Sequence, residues 1–288
     1  MNMKTIGVIG AGQMGNGIAQ VCAAAELDVV LRDLSEEALE KALATISTNL
    51  DRSIKSGKLE AKKKQEILAH IYTSTDIGAL VGCDFIIEAA TESIDIKQCI
   101  LAELESVIAH DAIVATNTSS VSITRLGATL KNPDRMVGMH FFNPVPVMPL
   151  VEIIRGVRTT DSVFRAATTL AVKIGKTPIA VKNSPGFVVN RILVPMINEA
   201  VFVLQDGLAN AEEIDAGMKL GANHPIGPLA LADLIGIDVC LAVMEVLYRD
   251  FHDSKYRPAR LLREMVDAGQ LGRKSGKGFY EYGQMPVV

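Results

Sequence analysis

The chain has 288 residues, 49 % of them hydrophobic, enough for about two packed domains of the usual size, roughly 150 residues each. A formal net charge of −4 leaves no overall basic field, which argues against nucleic acid as a partner. Cys22, Cys83, Cys99 and Cys240 are scattered without Cys-x-x-Cys spacing or histidine pairing. They predict neither a metal site nor a disulfide framework, and read as small core residues in a reducing compartment.

The first strand signal begins at Lys4, which predicts no leader segment ahead of it. Lys4–Ile9 is an apolar strand that runs straight into Gly10-Ala11-Gly12-Gln13-Met14-Gly15 and then into a helical pattern. That order is the dinucleotide fingerprint. Gly10 makes the tight turn, Gly12 leaves room for a pyrophosphate, and Gly15 lets the helix pack close to the strand. The pyrophosphate is expected on the helix N-terminus, where unpaired N–H groups favour an anion. A second strand, Val29–Asp33, ends in an acid eighteen positions past Gly15. There the Asp33 carboxylate is placed to accept the adenosine ribose hydroxyls and to repel a 2′-phosphate, so the cofactor predicted is NAD.

A long helical insertion follows, Ser35 to His70, with Ser35 as its N-cap, Glu36 and Glu37 in the first turn, and Gly57 dividing it into two helices. Further strand signals fall at 71–73, 84–88, 112–116, 135–139, 150–154 and 178–181. Strand and helix alternate up to about residue 184. This predicts an α/β fold, a Rossmann-type doubly wound parallel sheet over 1–184 carrying the insertion at about 35–70.

Lys182–Gly186 is a turn cluster, and beyond it the pattern is helical: 187–205, 211–220, 229–248 and 258–268. Residues 185–288 therefore read as a smaller all-α domain. The stretch Ile235–Leu247 is apolar on more than one face and fits either a deeply buried central helix or a homodimer interface. The longest apolar run, Val188–Leu204, is interrupted by Asn190, Arg191, Asn198 and Glu199, so no membrane span is expected and the protein reads as cytoplasmic.

Oxidising an alcohol with a dinucleotide needs a base to take the hydroxyl proton, and histidine is the usual one. His70, His110 and His252 lie in polar helix ends or loops, and His224 lies in a turn. His140 stands apart, since it ends an apolar strand at the carboxyl edge of the sheet, where open α/β sheets bind ligands. A histidine at a strand end is also commonly structural. Glu152, within the apolar run Pro149–Ile154, shifts the balance, because a carboxylate there needs a partner unless it faces solvent from an edge strand. An imidazole would be that partner.

Gly10–Gly15, Asn117-Thr118-Ser119-Ser120, His140-Phe141-Phe142-Asn143-Pro144-Val145-Pro146, Ser184–Arg191 and Gly276-Lys277-Gly278-Phe279-Tyr280 together resemble the 3-hydroxyacyl-CoA dehydrogenases over essentially the whole chain. The match is nearest to the short-chain bacterial type that acts on 3-hydroxybutyryl-CoA. The resemblance implies His140 as general base, Glu152 as its carboxylate partner, Ser119 on the substrate's 3-oxygen and Asn190 on the acyl oxygen from the second domain, with a cleft closing between domains. It places Glu92, Lys97, Asn117, Ser119 and Asn143 around the nicotinamide and its ribose, and Lys274 as a contact from the C-terminal tail. It also implies an acyl-CoA substrate and a homodimer through the helical domain. Arg52, Lys55, Lys58, Lys62, Lys63 and Lys64 make the insertion basic. Arg52 and Lys55 are the expected contacts to CoA phosphates, with a solvated charged face as the competing reading. Two other functions share this pattern: oxidation of a free hydroxy acid, and a non-catalytic dinucleotide-binding sensor or structural protein.

Overall fold

The computed structural model describes residues 3–283, which divide between Ser184 and Pro185 into two compact units. The first unit contains β1 (Thr5–Ile9), α1 (Gln13–Ala24), β2 (Asp28–Arg32), α2 (Glu36–Lys55), α3 (Ala61–Ala69), β3 (Ile71–Ser74), β4 (Phe85–Glu88), α4 (Ile94–Leu104) and β5 (Ile113–Thr116). It continues with α5 (Ile123–Gly127), β6 (Met136–Phe141), β7 (Leu150–Arg155), α6 (Asp161–Lys173) and β8 (Thr177–Lys182). The strands form one sheet in the order β3-β2-β1-β4-β5-β6-β7-β8. The order reverses between β1 and β4, and a ligand crevice opens at that point in sheets of this type.

The first six strands are parallel, as expected from the alternation of strand and helix, but β7 runs antiparallel to β6, and β8 follows β7. A fully parallel sheet was expected. The connection from β6 to β7 spans only residues 142–149, too short for the crossover that a parallel neighbour requires, so the chain turns back as a hairpin.

Strand residues Ile6, Val8, Val29, Leu31, Phe85 and Ile87 share one core with Leu39, Ala42, Ile46 and Leu50 of α2. Those four α2 positions recur every three or four residues, the spacing of a single helix face. Each buried Leu or Ile contributes roughly 1.5–3 kcal/mol. Ser35 caps α2 by accepting from the Ala38 N–H at 3.2 Å, and Gly57, at φ +71°, allows the turn between α2 and α3.

The second unit contains α7 (Val189–Gln205), α8 (Ala211–Gly221), α9 (Pro228–Ile235), α10 (Ile237–Phe251) and α11 (Arg260–Asp267). The single helix expected over 229–248 is two helices, because Gly236 adopts φ +109° and breaks the backbone ladder. Cys240, Leu241, Met244 and Leu247 of α10 are buried among residues of this same unit, the central-helix alternative. Cys22, Cys83 and Cys240 are core residues whose thiols burial pushes up to about 12, whereas Cys99 is exposed, contrary to expectation. Among the described residues no helix is long and apolar enough to cross a membrane.

Candidate active site

The turn after β1 has the geometry its glycines predict. Gly10 sits at φ +101°, and a Cβ there would come within 2.7 Å of Ala89 O and Ala90 Cα. A Cβ on Gly15 would lie 1.7 Å from Gly10 O, so only glycine permits this approach of helix to strand. Around Gly12 there is open space, with nothing within 4 Å of an added Cβ. Among the described residues no side chain caps α1, and the N–H groups of its first turn suit an anion. Asp33 accepts from Ala11 N at 2.7 Å and from Ser35 N at 3.2 Å, which fixes its carboxylate beside the turn. These residues fit a dinucleotide.

The hairpin of β6 and β7 pairs His140 directly with Glu152. Neighbouring residues on antiparallel strands lie close enough for their side chains to meet, and here His140 Nδ1 stands 2.6 Å from Glu152 Oε2. Glu152 is fully buried, and His140 is 6 % exposed. A carboxylate only accepts, so Nδ1 carries the proton of this bond and Nε2 is the basic nitrogen. The Phe142 ring leans on the imidazole at 4.6 Å between centroids. His140 lies within β6, one residue before its end.

Ser119 follows β5, on a loop gripped by Glu92. Glu92 Oε1 accepts from both Ser119 N and Ser119 Oγ at 2.7 Å, and its Oε2 accepts from Thr118 Oγ1 at 2.5 Å. Ser122 is the N-cap of α5, so Ser119 is not needed for that purpose. Asn117 Oδ1 accepts from Phe141 N at 2.9 Å and ties the end of β5 to that of β6.

Lys97, in α4, is fully buried, with Nζ 2.6 Å from Glu88 Oε2. Glu88 also accepts from Thr116 Oγ1 at 2.6 Å and from Ala90 N at 2.8 Å. Ala90 backs the Gly10 turn, so this buried pair supports the dinucleotide loop from below. Removing one member of such a pair costs about 3–5 kcal/mol. Glu88 escaped the sequence reading, although a carboxylate closing the apolar run Phe85–Ile87 is the same signal that marked Glu152.

A cleft of about 530 Å³ opens beside the glycine turn. One wall is Gly12, Gln13 and Asn16, a second is Lys41, Thr45 and Asn49 of α2, and the third is the loop Asn143–Pro146. A Cβ on Gly17 would meet Val145 at 2.8 Å, which shows how closely that loop packs on α1. Of the basic residues in the insertion, Lys62, Lys63 and Lys64 pair with Glu60, Glu66 and Asp51. Arg52, Lys55 and Lys58 are exposed and in no ion pair among the described residues. At about 100° per residue Arg52 shares the α2 face of Asn49 and Lys41, and Lys55, about 60° from Arg52 and about 40° from Lys41, lies at the edge of that face. Lys41 was missed from sequence because it stands apart from the basic cluster. The signal was its position about three turns before Arg52.

In the second unit, Asn190 is in the first turn of α7. Lys274 donates to Asp238 at 2.6 Å in the tail that follows α11.

Residues 5–184 match the family model described as 3-hydroxyacyl-CoA dehydrogenase, NAD binding domain, and residues 186–282 match the C-terminal domain of 3-hydroxyacyl-CoA dehydrogenase. The chain belongs to the 3-hydroxyacyl-CoA dehydrogenase family. Its first unit is therefore the NAD-binding domain of a 3-hydroxyacyl-CoA dehydrogenase. A 3-hydroxybutyryl-CoA dehydrogenase of Bradyrhizobium diazoefficiens is 50 % identical over 99 % of this chain and 98 % of its own length. One from Clostridioides difficile is 50 % identical over 96 % and 99 %. The crystal structure of (S)-3-hydroxybutyryl-CoA dehydrogenase from Ralstonia eutropha superposes with a TM-score of 0.96 at 57 % identity, over 98 % of this chain and all of that one.

Proposed function

We propose that this member of the family is an NAD-dependent (S)-3-hydroxyacyl-CoA dehydrogenase that interconverts 3-hydroxybutyryl-CoA and acetoacetyl-CoA. The observation that carries the reading is the buried His140–Glu152 pair at the carboxyl edge of a sheet whose β1 turn fits a dinucleotide. Bound NAD supplies the acceptor for the hydride that leaves substrate C3. His140 Nε2 takes the hydroxyl proton, and Glu152 orients the ring and stabilises the imidazolium. In the reverse direction His140 returns the proton as the acid.

Ser119 hydrogen-bonds the 3-oxygen and Asn190 the acyl oxygen. Glu92 holds the Ser119 loop, Asn117 and Asn143 border the nicotinamide ribose, Lys97 supports that end through Glu88, and Lys274 contributes from the tail. The CoA phosphates take Arg52, Lys55 and Lys41. The two units divide the work as an NAD-binding domain, 1–184, and a helical substrate and dimerisation domain, 185–288. Ile192, Leu208, Leu220 and Leu234 leave apolar surface exposed on the helical unit, which supports a homodimer formed there. A metabolic enzyme with this acyl-CoA substrate fits a cytoplasmic location.

Steady-state reduction of acetoacetyl-CoA by NADH, compared with longer 3-oxoacyl-CoAs and with free acetoacetate, tests the proposal. Saturable turnover with acetoacetyl-CoA, well above that with acetoacetate, is expected. Turnover of the free acid alone would assign a hydroxy-acid dehydrogenase, and none with any of them would leave a dinucleotide-binding sensor.

A further inference from the structure

Lys176 lies in the turn between α6 and β8, is 8 % exposed, and forms no ion pair with a carboxylate among the described residues. Its Nζ donates instead to two main-chain carbonyls of the β6–β7 connection, Val145 O and Met148 O, the latter at 2.8 Å. Burial pushes its ammonium below the usual lysine range, so the protein holds a cation here at a cost. An apolar side chain of similar length would fill the same volume without that cost, but would leave two inward-facing carbonyls without a donor.

The loop that Lys176 holds has few other anchors. Val147 N and Met148 N both donate to Pro144 O at 2.9 Å, and Thr177 N donates to Pro149 O at 2.7 Å. Only Val145 in its middle is fully buried, against Gly17 of α1. Asn143, Pro144, Val147, Met148 and Pro149 are all exposed. The same loop forms the third wall of the 530 Å³ cleft.

We propose that Lys176 is a positioning residue: its buried ammonium, held between the carbonyls of Val145 and Met148, fixes the Asn143–Pro149 loop as a wall of the cleft and so sets substrate affinity. This rests on the reading of that cleft as part of the acyl-CoA site. The positive charge acts on main-chain atoms behind the wall and touches no reacting atom.

Hydrogen exchange and steady-state kinetics of Lys176→Met and Lys176→Arg test it together. For Lys176→Met, amides in the peptide covering 142–150 should exchange at least tenfold faster while those of β1, α1 and the helical unit keep the wild-type rate. KM for acetoacetyl-CoA should rise about fivefold or more, with a smaller fall in kcat. Lys176→Arg, which keeps the charge and the donors, should recover most of the protection and of the KM. Unchanged exchange in 142–150, faster exchange throughout the chain, or an unchanged KM beside a loosened loop would each overturn the proposal. A wild-type protein that does not turn over acetoacetyl-CoA would instead refute the functional reading, and the exchange measurement would still decide whether Lys176 tethers the loop.

Discussion

At the scale of single residues, the chemistry depends on which imidazole nitrogen is basic, and the Glu152 carboxylate decides that. His140→Gln should lower turnover by about 10²-fold or more, a typical general-base contribution, with little change in NADH affinity measured by fluorescence titration. Glu152→Gln should also lower turnover, because an amide can still orient the ring but does not stabilise the imidazolium. Retention of His140→Gln turnover within about threefold of wild type would require another base. Asp33 carries a second prediction. Its carboxylate, held against the glycine turn, would face the 2′-phosphate of NADP, so kcat/KM should favour NADH over NADPH by about tenfold or more, roughly 1.4 kcal/mol. Asp33→Ser should narrow that ratio, leaving the buried guanidinium of Arg32, whose Nε has no partner among the described residues, beside the phosphate. A wild-type preference for NADPH would mean that Asp33 does not control the pocket. The glycines, Asp33, His140 and Glu152 were legible in the sequence because each breaks a local rule for a strand or turn. Glu92 and Lys97 were not legible in their observed roles. A polar residue near a helix start looks solvated until its partner strand or loop is known, and here the partners, Ser119 and Glu88, come from other elements.

At the scale of elements, two features hidden from the sequence shape the candidate site. Strand periodicity does not encode direction, so 150–154 reads the same in either sense; the short connection from β6 is what reverses β7 and sets Glu152 opposite His140. Likewise helical periodicity runs through 229–248 because Gly236 is compatible with either a helix interior or a break, and only its left-handed φ settles the matter. The α2 helix turns geometry into a test. Lys41 and Arg52 lie on the face that lines or extends the cleft, and Lys55 lies at the edge of that face and further along the helix from Asn49, the last cleft-lining residue of α2. Lys41→Ala and Arg52→Ala should each raise the KM for acetoacetyl-CoA by about fivefold while changing kcat less, since remote phosphate contacts bind ground and transition states nearly equally. Lys55→Ala should have a smaller effect, and all three effects should shrink at high ionic strength. Equal effects from Lys55 and Arg52 would favour a diffuse basic field over contacts that weaken with distance from the cleft.

At the scale of the whole molecule, groups in both units set the response to alkali. In the helical unit the tail folds back onto two buried carboxylates. Asp233 accepts from Phe279 N, Tyr280 N and Tyr282 Oη, each at 3.0 Å, and Asp215 accepts from Tyr280 Oη at 2.8 Å. Gly278 has to be glycine, since a Cβ there would lie 2.0 Å from Asp233 Oδ1. Burial, then the hydrogen bond to Asp215, raises the Tyr280 phenol above its ordinary value; burial and Asp233 do the same for Tyr282. A phenol whose folded pKa is raised contributes stability that is fully present below the unfolded value, about 10, and is lost as pH climbs through the folded one. Lys176 in the first unit has a lowered pKa, so its burial penalty is relieved as pH rises toward the ordinary lysine value, and it opposes the loss. The buried thiols of Cys22, Cys83 and Cys240, also raised, lose stability in the same sense from the ordinary thiol value, about 8.5. The Tm of the protein should therefore fall from about pH 8.5 and more steeply between about pH 10 and 11.5, with the peptide at 270–282 losing hydrogen-exchange protection across that upper window. Tyr280→Phe with Tyr282→Phe should start from a lower Tm, having lost the phenol hydrogen bonds to Asp215, Ala211 and Asp233, but fall less steeply with pH above about 10. Parallel Tm profiles for the two proteins would show that the phenols do not set the alkaline limit and that deprotonation elsewhere in the chain does.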